Sequence, residues 1–534
     1  MRIDGKKEGL RQSMSWLHTY TGILLGWLLF AIFFTGTWSY FRNEINDWMH
    51  PKLHHLTYSE EESITTAFNY LQTHAPNASS WNINLPSNRS LALEIWYREP
   101  AQGGKGRGAF KSAYLDAKSG NEVIVRPSNI ANLIYRFHFE LHGISRILGR
   151  FIVGFATMMM LIAIISGAVT HKKIFSDFFT FRPKKGQRSW LDAHNATAVM
   201  ALPFCFVITF SGLVLLVGTI MPFAGYGIYK SGAPARTNAQ LTTNAAEHIQ
   251  APTLNDINKM IIKAKTVWNF QQVSAINISN PNTAKALVTI NDNFSDKDTY
   301  LAQSSRGGRS LQFDALSLKL TKSSNNNADV SFVRQIRNVI VGVHEGRFAG
   351  VIVRWLLFIS GILGTLMVAT GLILWVVKRL PKRRKLGTTP IAHRLVEIFN
   401  VSAIAGLSIA FGASFWLNRI LPFDLPNRAD WEAKGFFIIW FITLIHASMV
   451  NHKKSWLQQL FLATFIYISI PLLNALTGGS SMWHNILYGK INLLNIEFAL
   501  LVCAFIYGTA LWWMLRSKAV ISNKTSTITG GAKC

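Results

Sequence analysis

The sequence predicts an α-helical, polytopic membrane protein of about eight spans, and three observations carry that prediction. The chain has 534 residues, of which 49% are hydrophobic and only 15% charged, too apolar a balance for a soluble domain. Its apolar residues fall in runs of membrane-crossing length, since about 20 helical residues traverse a hydrocarbon core of about 30 Å. Its formal charge of +27 is gathered in short loops between those runs. That is the pattern of cytoplasmic loops, so a lipid bilayer is the expected partner and nucleic acid is not.

The first run, "SWLHTYTGILLGWLLFAIFFTGTWSYF", occupies 15–41. It lacks a small-residue cleavage site and is read as a retained span. Further runs lie near 149–171, 196–219, 351–377, 394–417, 436–451, 456–475 and 493–515. Basic residues before the first span, "RPKKGQR" (182–188), "KRLPKRRK" (378–385), "NHKKS" (451–455) and the residues after the last span then share one side. Both termini are expected in the cytoplasm. The chain divides into a cytoplasmic start with span 1 (1–42), an outer domain (43–146), spans 2 and 3 (147–219), a second outer domain (220–348), span 4 (349–378), spans 5–8 (379–518) and a cytoplasmic tail (519–534). Alternating stretches such as "LALEIWY" and "KALVTIND", bounded by turn signals, make each outer domain a small α+β unit. The tail, rich in Ser, Thr and Gly, reads as disordered.

Span 1 carries a histidine where hydrocarbon tolerates none without a partner, which makes His18 a functional candidate. Its spacing recurs. His18 is followed at +4 by Gly22 and at +18 by Gly36; His194 in span 3 is followed at +4 by Ala198 and at +18 by Gly212. Arg150 precedes Gly167 by 17 residues, as Arg354 precedes Gly371. The first four spans therefore read as a duplicated helix, outer domain, helix unit, its copies related by an axis along the membrane normal.

Each copy supplies one histidine near the inner end and at least one at the outer end. His18 and His194 form the inner pair. At the outer end stand His138 and His142 in "RFHFELHG" and His344 in "GVHEGRF". Neither His138 nor His142 matches His344 in its distance from the repeat arginine. His142 is preferred, being nearer the membrane and beside Gly143. Facing imidazoles across a bundle axis are the requirement of a low-spin b-type haem, with one axial nitrogen on each face of the iron. Two haems b are expected, and Gly22 and Ala198 leave room for a flat macrocycle. Trp27, Phe30 and Phe33 are expected to fill the apolar layer between them, while Gly36 and Gly212 read as helix-packing residues. His171, in "THKKIF", reads as a juxtamembrane base; His393, His446 and His452 have no repeat behind them. Cys205, Cys503 and Cys534 fall in two apolar runs and at the last residue, so no disulfide, cysteine metal site or prenyl anchor is expected, and no C-x-x-C-H occurs for covalent haem.

The opening "SWLHTYTGILLGWLLF", the "RSWLDAHNATAVMALPF" of span 3, "VHEGRFAGVI" and "YLDAKSGNEV" resemble the PepSY-associated transmembrane helix family over residues 10–380. The family consists of iron-regulated bacterial inner-membrane proteins and includes ferric-siderophore reductases. The resemblance implies two PepSY-like periplasmic domains, di-haem electron transfer, and reduction of a ferric siderophore or other Fe(III) chelate in the periplasm. Its ligand set falls on His18, His194 and His344, with His142 or His138. The "THKK" ending of span 2 departs from the tryptophan-rich exit of many members and leaves a haem role open for His171. No G-x-G-x-x-G fingerprint opens a helix, so the electron donor, a quinol or a cytoplasmic reductase, is external. Two other readings compete: an anchored regulator of a peptidase or sensor of the envelope, and a transporter using histidine proton relays.

Overall fold

The structure is a computed structural model that describes residues 9–87, 89–100, 108–171, 182–183, 185–223, 252–268, 272–292, 310–323, 332–346 and 348–529. Eight helices among these are long and apolar enough to cross a membrane: span 1 (Leu10–Ser39), span 2 (Arg146–Thr170), span 3 (Gln187–Ile220), span 4 (Val351–Leu386), span 5 (Ile391–Ile420), span 6 (Arg428–Met449), span 7 (His452–Leu476) and span 8 (Ile491–Arg516). The protein is a multi-pass membrane protein. Spans 3 and 4 run past their apolar limits, so His194 lies inside a helix rather than before one, and Gly387 at φ +70° ends span 4. Where the sequence reads a disordered tail, the helix of span 8 continues to Thr529, and Cys534 lies outside the described residues.

Spans 1–4 form a ring in chain order, each packed on its two neighbours. Leu29, Phe33, Met160, Ala201 and Cys205 fill its middle. Spans 1 and 4 approach closely because Gly361 and Gly364 have no side chain: a Cβ would stand 2.5 Å from the Thr37 hydroxyl at the first and 2.9 Å from the Phe33 ring at the second. Spans 5–8 pack on the far side of span 1, where Trp38 lies 4.5 Å from the Phe411 ring and Trp27 Nε1 donates to Asn400 Oδ1 at 2.8 Å. Of the three aromatics expected inside the ring, Phe33 is there; Trp27 and Phe30 turn to the added spans because the helix period points them to that side. Span 5 contains a π-helical turn, Ser402–Gly406, whose Ser402 carbonyl accepts a hydrogen bond from Trp440 Nε1 at 2.9 Å.

Both long polar segments build a sheet at one end of the bundle. Strands β1 (Ser80–Asn84), β2 (Leu93–Arg98) and β3 (Phe110–Leu115) come from the first, and β4 (Val273–Ser279), β5 (Leu287–Asp292), β6 (Ser310–Asp314) and β7 (Leu320–Ser323) from the second. The expectation of two units side by side gives way to one seven-stranded antiparallel sheet, ordered β3-β2-β1-β4-β5-β6-β7. The join is β1 to β4, with Ile83 opposite Ile276. Left apart, each segment would expose a strand edge of unpaired amides to water. Alternate residues, including Trp81, Ile83, Ile276, Ile278, Val288 and Ile290, pack with helices Glu60–His74 and Leu254–Trp268 in one core. Because that core is shared, Ile276→Asp, which puts a carboxylate on a fully buried central position, should cost at least about 4 kcal/mol and melt both segments together. Limited proteolysis of the outer sheet checks this: cleavage confined to β4–β7, with β1–β3 resistant, would mean two independent cores.

Candidate functional site

The four histidines that matter arrive on four different helices. His18 and His194 are placed by spans 1 and 3 at the basic end of the ring, where their ring centroids stand 6.2 Å apart at an interplanar angle of 60°. At the sheet end, helices Ile130–Glu140 and Phe332–Glu345 precede spans 2 and 4. Their histidines, His138 and His344, have centroids 6.1 Å apart at 36°. Two imidazoles bound to opposite faces of one metal, at about 2 Å per bond, stand roughly 6 Å apart between centroids.

His142 is not in this pair. The helix stops at Glu140, and Leu141 takes φ +60°, which turns the chain away before residue 142. His142 is left exposed, stacked 4.8 Å from Phe437 of span 6 at 13°. The nearer distance to the membrane along the sequence was the misleading signal; the turn decides. His171 ends span 2 and lines the same cavity as His18 and His194. His393 lies beside Glu397 at 3.4 Å and His446 between Gln458 and Gln459, both in spans 5–8 and away from the pairs.

Each paired ring is held in one way. His18 Nδ1 donates to the Ala163 carbonyl at 2.9 Å, His194 Nδ1 to Met367 at 2.9 Å, and His138 Nδ1 to Ile32 at 2.7 Å. A carbonyl can only accept, so Nδ1 carries a proton and Nε2 is the ring nitrogen left to meet a metal. His344 Nδ1 meets the Ser211 hydroxyl at 2.8 Å, and because Ser211 donates to Val207 at 2.6 Å, it accepts from His344. Burial holds the His138 imidazole below its ordinary range and brings His344 down to about 3, so both are neutral at physiological pH.

Four glycines, two of them read from sequence as packing residues, are the seats of these rings. A Cβ on Gly167 or Gly371 would stand 3.1 Å from Cε1 of His18 or His194. At Gly36 it would stand 2.5 Å from His138 Cε1, and at Gly212 3.3 Å from His344 Cε1. Ala163, Ile32 and Met367 each lie four residues before the seat glycine, so one helical turn supplies both the floor and the acceptor. Gly36 and Gly212 recur at +18 from His18 and His194, and Gly167 and Gly371 at +17 from Arg150 and Arg354, which marks these glycines as a repeated feature without saying which ring fills each.

Residues 15–378 match the family model described as the PepSY-associated TM region. The chain belongs to that family. No curated protein matches it significantly. The matched PepSY-associated region contains all four paired histidines and all four seat glycines, and it ends at Lys378, before spans 5–8.

The inner pair of this PepSY-associated region borders a cavity of about 260 Å³ between spans 1–4. Gly22 and Ala198 line it beside the rings, and a Cβ on Gly22 would meet nothing within 4 Å. Lys378 and Arg379 stand at its basic end, Arg379 lying 3.8 Å over the Trp375 ring. The arrangement suits a flat, apolar group with anionic arms and a central metal. Among the described residues no group of three or more His, Cys, Asp or Glu side chains could hold a bare ion, which needs three or four protein ligands.

Seat geometry orders the cost of filling each glycine. Gly36→Ala should destabilise most, by about 1–3 kcal/mol, with Gly167→Ala and Gly371→Ala intermediate and Gly212→Ala least. Thermal unfolding of detergent-solubilised variants measures this, and equal shifts at all four sites would contradict the seating role.

Proposed function

We propose that the protein carries two b-type haems and moves electrons across the bacterial inner membrane to reduce an Fe(III) chelate, such as a ferric siderophore, on the outer face. The observation that carries the reading is the pair of histidine pairs, alike in centroid separation and in anchoring, at two depths of one four-helix ring. From His18 to Ile32–Gly36, where His138 is seated, span 1 rises about 21–27 Å, the separation wanted of two relay stations within one bilayer. We take spans 1–4 with their polar segments as two copies of one unit: each histidine sits on a glycine of its own copy and faces a histidine of the other.

Held between such imidazoles, a haem would supply reversible one-electron chemistry suited to electron transfer. The chain's own residues do the rest. His18, His194, His138 and His344 present their Nε2 atoms, and the carbonyls behind three of them raise ring basicity by accepting the Nδ1 proton. Leu29, Phe33, Met160 and Cys205 exclude water from the layer between the pairs. Lys378 and Arg379 are suited to neutralise acidic arms at the inner mouth. The acceptor belongs outside with the sheet, where hard oxygen donors that grip Fe(III) release Fe(II) far more easily. Both termini and the basic loops belong in the cytoplasm, where a reductase could dock; a membrane quinol is the other class of donor.

Pyridine haemochrome analysis of purified protein should return two haems b per chain; none would overturn the redox reading in favour of an anchored regulator or a proton-relay transporter. His18→Ala or His194→Ala should remove the inner haem alone, His138→Ala or His344→Ala the outer one alone, and His142→Ala neither. Loss of both haems from a folded single variant would contradict two separate sites.

In oriented vesicles, a ferric siderophore added on the sheet side should reoxidise the reduced protein, and His344→Ala should abolish this while the inner haem stays reducible. Reoxidation only from the basic side would reverse the proposed direction.

A further inference from the structure

We infer that spans 5–8, which lie beyond the family match, clamp the segment that carries His138 and so act as the positioning element of the outer histidine pair. The segment is 126–142, and it is gripped along its whole length. Arg126 donates to the carbonyls of Asn418 and Arg419 at 3.1 and 3.0 Å, where the last turn of span 5 has carbonyls to spare and favours a cation. Arg428, at the start of span 6, donates to the Pro127 carbonyl at 2.8 Å, to the Asn418 carbonyl at 2.6 Å and to Glu432 Oε1 at 2.5 Å. Glu432 accepts from Asn418 Nδ2 at 2.9 Å and, through its other oxygen, from the Ser128 hydroxyl at 2.6 Å. Further along span 6, Phe437 and Trp440 flank Phe137, and Phe437 carries the stacked His142.

Arg428 and Glu432 have essentially no solvent exposure. An ion pair taken out of water returns little stability for its desolvation cost, but breaking one side of it is severe, so it serves better as a geometric lock than as a source of stability. What it locks is the chain just before helix Ile130–Glu140, whose orientation aims His138 at His344. His344 reaches the pair from another side, seated on Gly212 with Ser211 behind it on span 3. The clamp therefore acts on one ring of the outer pair and on neither ring of the inner pair. Ser128, Arg428 and Glu432 are positioning residues, since they act through the His138 helix. The bearing of this clamp on a haem rests on the function proposed above; the clamp itself does not.

Hydrogen–deuterium exchange on the full-length protein in lipid nanodiscs tests it. Ser128→Ala removes one clamp bond from a partly exposed loop and should speed exchange in 130–140 about tenfold, the scale of one hydrogen bond to a charged group. Exchange in 332–345 should stay at the wild-type rate, Ser128→Thr should restore 130–140, and Glu432→Gln, which breaks the buried ion pair itself, should speed exchange there by more than Ser128→Ala does. In haem-loaded protein, Ser128→Ala should shift the low-spin electron paramagnetic resonance signal of the outer haem and leave the inner signal in place. Unchanged exchange in 130–140 in both variants, or equal loosening of 130–140 and 332–345, would overturn the clamp. A wild-type protein without haem would overturn the functional reading while the exchange data still decide the clamp.

Discussion

A histidine that gives its Nδ1 proton to a main-chain carbonyl loses its choice of tautomer and most of its rotational freedom, and in this protein a glycine one turn further along that same helix removes the rest. The bond itself contributes about 1 kcal/mol. Its importance is directional: ring plane, proton position and helix-to-helix distance are fixed together by His18 on Gly167, His194 on Gly371 and His138 on Gly36. Each ring then depends on two helices, and each pair on four. Any rotation of one span about its axis would spoil the seat on one neighbour and the facing distance to another, which is why the ring of spans 1–4 is packed through glycine contacts such as Gly361 on Thr37.

Two arginines extend the same economy to the sheet end. Arg150 binds Glu140, the last residue of the helix bearing His138, and Arg354 binds Glu44 in helix Arg42–Met49 at 2.5 Å. Both carboxylates are buried. A membrane span is thus tied, through one charge pair near its sheet end, to a short helix lying at the base of the sheet, and the sheet cannot shift without moving the helices beneath it.

Much of this architecture was legible because it rests on properties each residue carries alone. Apolar run length located all eight spans, and alternation found strands such as β2 and β5, though not the central β1 and β4. The inner histidines were legible because His18 and His194 sit in regular helix, where a spacing of 18 residues has a fixed geometric meaning. His344, the histidine just before span 4, was legible as well, but its partner was not, because between His138 and His142 the chain leaves the helix at Leu141, and counting residues through a turn loses the direction of the side chain. Glycine seating was invisible for a different reason: the sequence shows that a glycine recurs, but which ring fills the space is set by a neighbouring helix. The joining of β1 to β4 was hidden in the same way, since strand alternation says which face is apolar and nothing about which edge finds a partner.

The β1 to β4 pairing carries a consequence for how the molecule is made. Residues 80–84 leave the ribosome almost two hundred residues before 273–279, and two membrane spans must be inserted in between. During that interval the β4-facing edge of β1 is a short, partly apolar strand with open amides. Such an edge is a template for pairing with any extended chain nearby, including the same strand of another nascent copy. A sheet whose central pair is the last to close makes biogenesis, rather than the finished fold, the stage most exposed to aggregation, and it ties the rate of assembly to how quickly the second half of the sheet follows the first.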